Sequence, residues 1–226
     1  MTGLEQYQHA LTRAVCGEML NGTDRALLGP GMNYAGLGLT ARIRQSWCKG
    51  RAARAAMLTL SALPSSERAA HLSAWVSAGG GTRAHIQLEA EAFLSFLGGR
   101  LADPSDALSL CRLELALVRA RRRDDRIPKG RDLAENTMVR RSPYAAIVNV
   151  PASIDRIVAD PVDRARTQRR GDAEISLLVA PGLAGQLRAA TSRERALWRA
   201  AETTIRAGVD LETARVLLAL GALDRA

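Results

Sequence analysis

The sequence predicts an α+β fold, an all-helical N-terminal bundle followed by a small unit of short strands and two helices. Three observations carry this. Before about residue 120, apolar residues recur at three- and four-residue steps. After about residue 142, short β-branched runs are stopped by prolines. Between them, RARRRDDRIPKGRDLAENTMVRR has weak apolar periodicity and contains Pro128 and Gly130, so it reads as a junction. The expected organisation is a helical domain at 1–120, a basic connector at 121–141 and an α+β domain at 142–226.

Taken in order, a helix is expected near 4–20, then a glycine-rich surface loop from Gly29 to Gly38, then a helix from about Trp47 to Leu60. Pro64-Ser65 opens a helix bearing Leu72, Trp75 and Val76, which Gly79-Gly80-Gly81 closes through glycine's tolerance of a left-handed cap. Thr82 is placed to cap the next helix, with Ile86, Ala90, Phe93, Leu94 and Leu97 on one face and Gly98-Gly99 at its end. Asp103-Pro104 suits a helix start, because Asp accepts from free N–H groups and Pro loses nothing there. Leu108, Cys111, Leu115 and Val118 then mark a long buried helix.

Beyond the junction, Tyr144–Val150 and Ile175–Val179 read as strands, and Gln186–Ala189 as a weaker third strand following the Pro181-Gly182 turn. Thr191-Ser-Arg-Glu194 is a capping box for a helix with Leu197, Trp198, Ala201 and Ile205, which Gly208 ends. Asp210 caps a last helix with Leu211, Ala214, Leu217 and Leu218, ended by Gly221.

With 226 residues, 47% of them apolar, wholesale disorder is excluded. No apolar run reaches the roughly 18–20 residues that span a bilayer, and Met1–Glu18 lacks a signal-peptide pattern. Cys16, Cys48 and Cys111 are odd in number and far apart, which points to a reducing, cytoplasmic setting without zinc-type spacing. The net charge of +9 is carried by 30 arginines and only two lysines. It is uneven: residues 119–141 hold nine basic and four acidic residues, while 1–118 and 142–226 each stand near +2.

Motifs for chemistry are sparse. His9, His71 and His85 are isolated, no G-x-S-x-G occurs, and no acid follows Gly29-Pro-Gly31 at the distance that ribose binding needs. Two binding uses remain. The last two helices, separated by Gly208-Val209-Asp210, resemble a helix-turn-helix that the strands would make winged-helix-like. The helix from Leu211 offers only Glu212, Thr213 and Arg215, a poor set for reading bases, so nucleic acid is disfavoured. The other use is strand addition, in which an extended peptide joins an exposed sheet edge.

The segment SWCKGRAARAAMLTLSALP, followed by WVSAGGGT, EAEAFL and DPSDALSLCRLELALVRA, resembles the MbnC family of methanobactin biosynthesis proteins. LLVAPGL, TSRERALW and LLALGAL continue the match over most of residues 43–226. The helical half is also similar to the wider HvfC/BufC-type family described as DNA-binding domains. The resemblance implies a non-catalytic subunit paired with an MbnB-type multinuclear iron oxidase of TIM-barrel fold. That pair converts cysteines of an MbnA-type ribosomal precursor peptide to oxazolone and thioamide groups, the iron belonging to the partner and no cofactor to this chain. It further implies that the helical domain at 1–120 docks on the oxidase and that the C-terminal domain is a precursor-recognition element, to whose sheet the leader peptide adds. The expected peptide-binding residues are Ile147, Val148, Asn149 and Val150 on one strand and Leu177, Leu178 and Val179 on the other, with Arg188 and Arg193 nearby. Arg121, Arg122 and Arg123 are the expected partner-binding residues. No membrane partner is expected.

Overall fold

The computed structural model describes residues 2–81, 86–123, 133–152 and 174–226 of the chain. Thr82, His85 and the Pro128–Gly130 part of the junction lie outside the described residues. Among these residues seven helices come first: α1 (Gly3–Cys16), α2 (Gly22–Leu28), α3 (Tyr34–Ala55), α4 (Met57–Ser61), α5 (Ser65–Ser77), α6 (Ile86–Gly98) and α7 (Asp106–Arg121). Then follow β1 (Met138–Arg141), β2 (Ala146–Pro151), β3 (Glu174–Val179), β4 (Leu187–Ala189), α8 (Ser192–Ala200), β5 (Ile205–Arg206), α9 (Leu211–Ala219) and β6 (Leu223–Arg225). The fold is therefore α+β. No described helix is long and apolar enough to cross a membrane.

Four helix boundaries differ from the sequence reading. The helix expected near 4–20 stops at Cys16, where Gly17 at φ 77° makes a left-handed cap. The stretch expected as a loop to Gly38 becomes helix at Tyr34, because Asn33 Oδ1 accepts from Gly36 N at 2.9 Å and caps α3. Gly36 and Gly38 lie inside that helix despite costing about 1 kcal/mol each relative to alanine. The helix expected at Trp47–Leu60 is broken at Ala56, whose φ of −121° and ψ of 43° are non-helical. Helix α7 starts two residues later than Asp103-Pro104 suggested, since Ser105 is the residue whose Oγ accepts from Leu108 N.

The last helices differ more. The Thr191–Glu194 capping box does open α8, but α8 ends at Ala200. Ile205 continues the helical spacing of Trp198 and Ala201, yet it lies in β5, paired with Val139 of β1. Residues 201–210 therefore hold a strand and a short 3-10 turn rather than the tight turn of a helix-turn-helix. Strand β1 itself falls within the stretch read as a connector. It is the middle strand of a sheet ordered β5-β1-β6, and its Val139 is fully buried. Strands of two to four residues are too short to show a period, which is why β1, β5 and β6 left no trace in the sequence pattern.

Four apolar clusters make up the interior. Residues of α1 and α2 close one end around Ala10, Ala14 and Leu28. Helices α3 to α7 surround Phe93, Leu94 and Leu97, with Trp75 edge-on to Phe93 at 5.5 Å. At the far end, α8, α9 and the β5-β1-β6 sheet bury Trp198, Leu217, Leu218 and Leu223. The fourth cluster joins the halves: Leu113, Ala116 and Ala120 of α7 pack on Val148, Val150, Leu177 and Val179 of the β2-β3-β4 sheet. Helix α7 thus serves two cores, with Ala107 and Cys111 facing the bundle and Leu113 and Ala116 facing the sheet. A helix buried on two faces needs apolar residues on both, and α7 supplies them between polar positions such as Arg112 and Arg119.

Candidate peptide-binding edge

The expected strands β2, β3 and β4 form one antiparallel sheet in the order β2-β3-β4. Ile147 pairs with Leu178, Val148 with Leu177 and Val150 with Ile175. On its other side β3 pairs Leu177 with Ala189 and Leu178 with Arg188. Side chains alternate between faces. Val148 and Val150 look toward α7, while Ile147 and Leu178 look toward the core of α8 and α9. The run Leu177-Leu178-Val179 is apolar without alternation because both faces of β3 are covered.

This arrangement separates the expected peptide-binding residues into two groups. Leu177, Leu178 and Val179 sit on the middle strand, where the main chain is engaged on both sides, so they have no edge to offer an added strand. Ile147, Val148, Asn149 and Val150 sit on β2, whose outer edge has no strand beside it among the described residues. In an antiparallel pair, successive backbone groups point alternately toward the partner and away from it. Half of the β2 main-chain donors and acceptors therefore face outward.

That outer edge borders a groove of about 480 Å³. Ala146 to Asn149 form one wall, and Ser109 and Arg112 of α7 form the other with the α7 cap, Ser105. Glu174 and Arg119 also line it. The groove carries charge of both signs, with one exposed, loosely held pair: Arg112 lies 3.4 Å from Asp103, both side chains more than half exposed. The groove-lining residues of α7 were not foreseen. Nothing near them in the chain marks them, since packing brings α7 beside a strand some 40 residues away. Strand β2 ends at Pro151, which has no N–H to donate and so bounds the usable edge.

The arginines assigned to peptide contact are tied down or remote. Arg188 grips Glu194 through two guanidinium nitrogens, one at 2.9 Å, and also donates to Ala189 O. Glu194 simultaneously closes the α8 capping box, accepting from Thr191 N at 2.8 Å. The Arg188 contact, against a desolvation cost, holds the Glu194 carboxyl below its ordinary value. Arg188 is thus a strut between β4 and α8. Arg193 stands 3.9 Å from Glu212, both largely exposed. Asn149 accepts from Ser176 Oγ at 2.7 Å across the strand pair, and Arg195 reaches the same hydroxyl at 3.4 Å.

The three arginines expected to bind a partner differ among themselves. Arg123 is 8% exposed and reaches Asp224 at 3.0 Å, Ser142 Oγ at 3.1 Å and Gly221 O at 3.1 Å. It fastens the end of α7 to β6 and the turn before it. Arg122 and Arg119 both bind Glu91. Burial raises the Glu91 carboxyl, but the two arginines outweigh it and hold the group below its ordinary value. Arg121 donates to Gln186 Oε1 at 3.0 Å and otherwise faces solvent.

Other reactive groups are few. Among the described residues no group of three or more His, Cys, Asp or Glu is arranged to hold a metal ion. All three cysteines are free. Burial pushes the Cys111 thiol up to about 11, and the nearby Glu114 adds to this. Glu114 is itself buried and accepts from Leu58 N at 2.7 Å, Thr59 N at 3.0 Å and Thr59 Oγ1 at 2.6 Å. It supplies the cap that α4 lacks, since Ala56 makes no side-chain cap bond. No family model and no curated protein matches the chain.

Proposed function

We propose that the chain is a non-catalytic accessory subunit that holds the leader of a ribosomal precursor peptide by strand addition at the outer edge of β2. Its place is in a cytoplasmic MbnBC-type heterodimer, whose iron oxidase converts precursor cysteines to oxazolone and thioamide groups on the way to a copper chelator. The iron sits in the partner. The observation that carries the reading is the β2 edge: it is open among the described residues and flanked by a groove of about 480 Å³ against α7. Main-chain pairing supplies affinity in this mode, and the groove wall supplies register. The resemblance to the MbnC family supplies the peptide and the oxidase.

The alternation along β2 gives the test. Of Ile147→Pro and Val148→Pro, one removes a donor that points at β3 and the other a donor that points outward. The outward variant should keep its circular dichroism and melting temperature yet lose leader binding by fluorescence anisotropy. Alanine at the same position should bind nearly as well as wild type. Undiminished binding by both folded proline variants would sink strand addition. Tight, salt-sensitive binding to duplex DNA in place of peptide would favour a winged-helix-like DNA-binding regulator.

A further inference from the structure

Helix α3 leaves an apolar stripe uncovered. Leu39 is 51% exposed, Ile43 51% and Trp47 70%, at positions i, i+4 and i+8 of one helix face. The stripe runs into a cleft of about 720 Å³ between α3, α6 and α7, lined by Trp47, Gly50, Arg51, Arg54, Glu89 and Arg121 among others. Arg51 is spent on the buried Glu89 at 3.0 Å. Arg54 and Arg42 have no acidic partner among the described residues, and Arg121 has only an amide.

Two further facts limit what fits there. Helix α3 carries five basic residues, Arg42, Arg44, Lys49, Arg51 and Arg54, and no acidic one. A second copy of the same face would repel it, and an acidic surface would be attracted. Gly50 lies mid-helix in the cleft wall, where a Cβ would meet nothing within 4 Å. Glycine there weakens the helix and answers no packing need within the chain. It does allow another backbone to approach closely.

We propose that this face of α3 docks an acidic amphipathic helix of a partner protein. Its apolar side chains would cover Leu39, Ile43 and Trp47, and its carboxylates would meet Arg54 and Arg121 across Gly50. An anionic bilayer fits less well, because a flat lipid surface cannot fill a cleft of about 720 Å³ between three helices. The proposal does not depend on strand addition: the cleft and the β2 groove share no lining residue.

Trp47 reports on the site directly, since Trp75 and Trp198 are buried. The full chain is titrated with a tryptophan-free helical peptide bearing leucines at helical spacing and glutamates on its flanks. A lysine-for-glutamate counterpart and phosphatidylglycerol vesicles form parallel arms. The glutamate peptide should blue-shift the emission, less so as salt rises, and Trp47→Phe should abolish most of that change. Arg54→Glu with Arg121→Glu should weaken binding by about tenfold or more, as expected when two charge pairs at an interface are reversed. Gly50→Ala should raise the melting temperature and still weaken binding, a pairing that a purely structural glycine would not give. No shift with the glutamate peptide, equal binding of the lysine peptide, a shift with vesicles alone, or full binding by Gly50→Ala would each overturn the proposal. So would self-association in sedimentation that Trp47→Ala abolishes.

Discussion

Replacing Glu114 tests how the short helix α4 is held. Its carboxylate accepts from two backbone N–H groups and one hydroxyl, all in or next to the buried interior. A buried donor left without a partner costs about 1–3 kcal/mol. In Glu114→Ala the Thr59 hydroxyl can turn to another acceptor, but Leu58 N and Thr59 N cannot. The expected loss is therefore about 2–6 kcal/mol. With a urea dependence of roughly 2 kcal/mol per molar, the unfolding midpoint should fall by roughly 1–3 M. Burial holds the Glu114 carboxyl above its ordinary value, with Thr59 and Leu58 opposing only in part. A carboxyl raised on folding contributes stability that is complete below its unfolded value and is lost as pH rises through the folded value. The gap between wild type and Glu114→Gln should thus widen as pH falls from neutral toward about 4.3, the ordinary glutamate value. Urea melts of the three proteins, followed by circular dichroism at several pH values, measure both effects. A midpoint for Glu114→Ala within error of wild type would refute the assignment of Glu114 as the α4 cap, and a gap that narrows on acidification would refute the pH argument.

Glu194 should behave in the opposite sense. Arg188 and Thr191 hold its carboxyl below the ordinary value, so its stability is present above about 4.3 and is lost as pH falls through the lowered folded value. Glu194→Gln should cost about 1–3 kcal/mol near neutral pH, a cap plus a charge-assisted contact, and the deficit should shrink in acid, as thermal melts across pH would record. For the cysteines, a thiol near 11 is only about 0.1% thiolate at pH 8, so Cys111 should resist a thiol reagent in the folded protein. Cys16, which is half-buried, should label first and Cys48 slowly; rapid labelling of Cys111 by mass spectrometry would contradict its packing against Leu94 O.

Some of this was legible in the sequence. The β2 and β3 runs are β-branched and proline-stopped, and Thr191–Glu194 has the one spacing that lets a side chain and a backbone cap each other, so those elements fell where expected. The break at Ala56 was not legible, because what stabilises α4 is Glu114, 56 residues from Leu58. Nor was the middle position of β3: an apolar run says that both faces are covered, but not which strand lies at an edge. The groove beside β2 depends on α7 lying against the sheet, which is a property of packing and not of any local pattern. The run Arg121–Arg123 looked like one charged patch, yet its members point to Gln186, Glu91 and Asp224 in three different directions.

The position of α7 between two cores bears on how the chain can be cut. A fragment starting at residue 142 would turn Val148, Val150, Leu177 and Val179 toward water and lose the Arg123 anchor on Asp224. A fragment ending before α7 would uncover Phe93, Leu94 and Leu97. The shortest piece that keeps the β2 edge intact begins ahead of Ser105, so such a fragment has to take one wall of its groove from the half that precedes it.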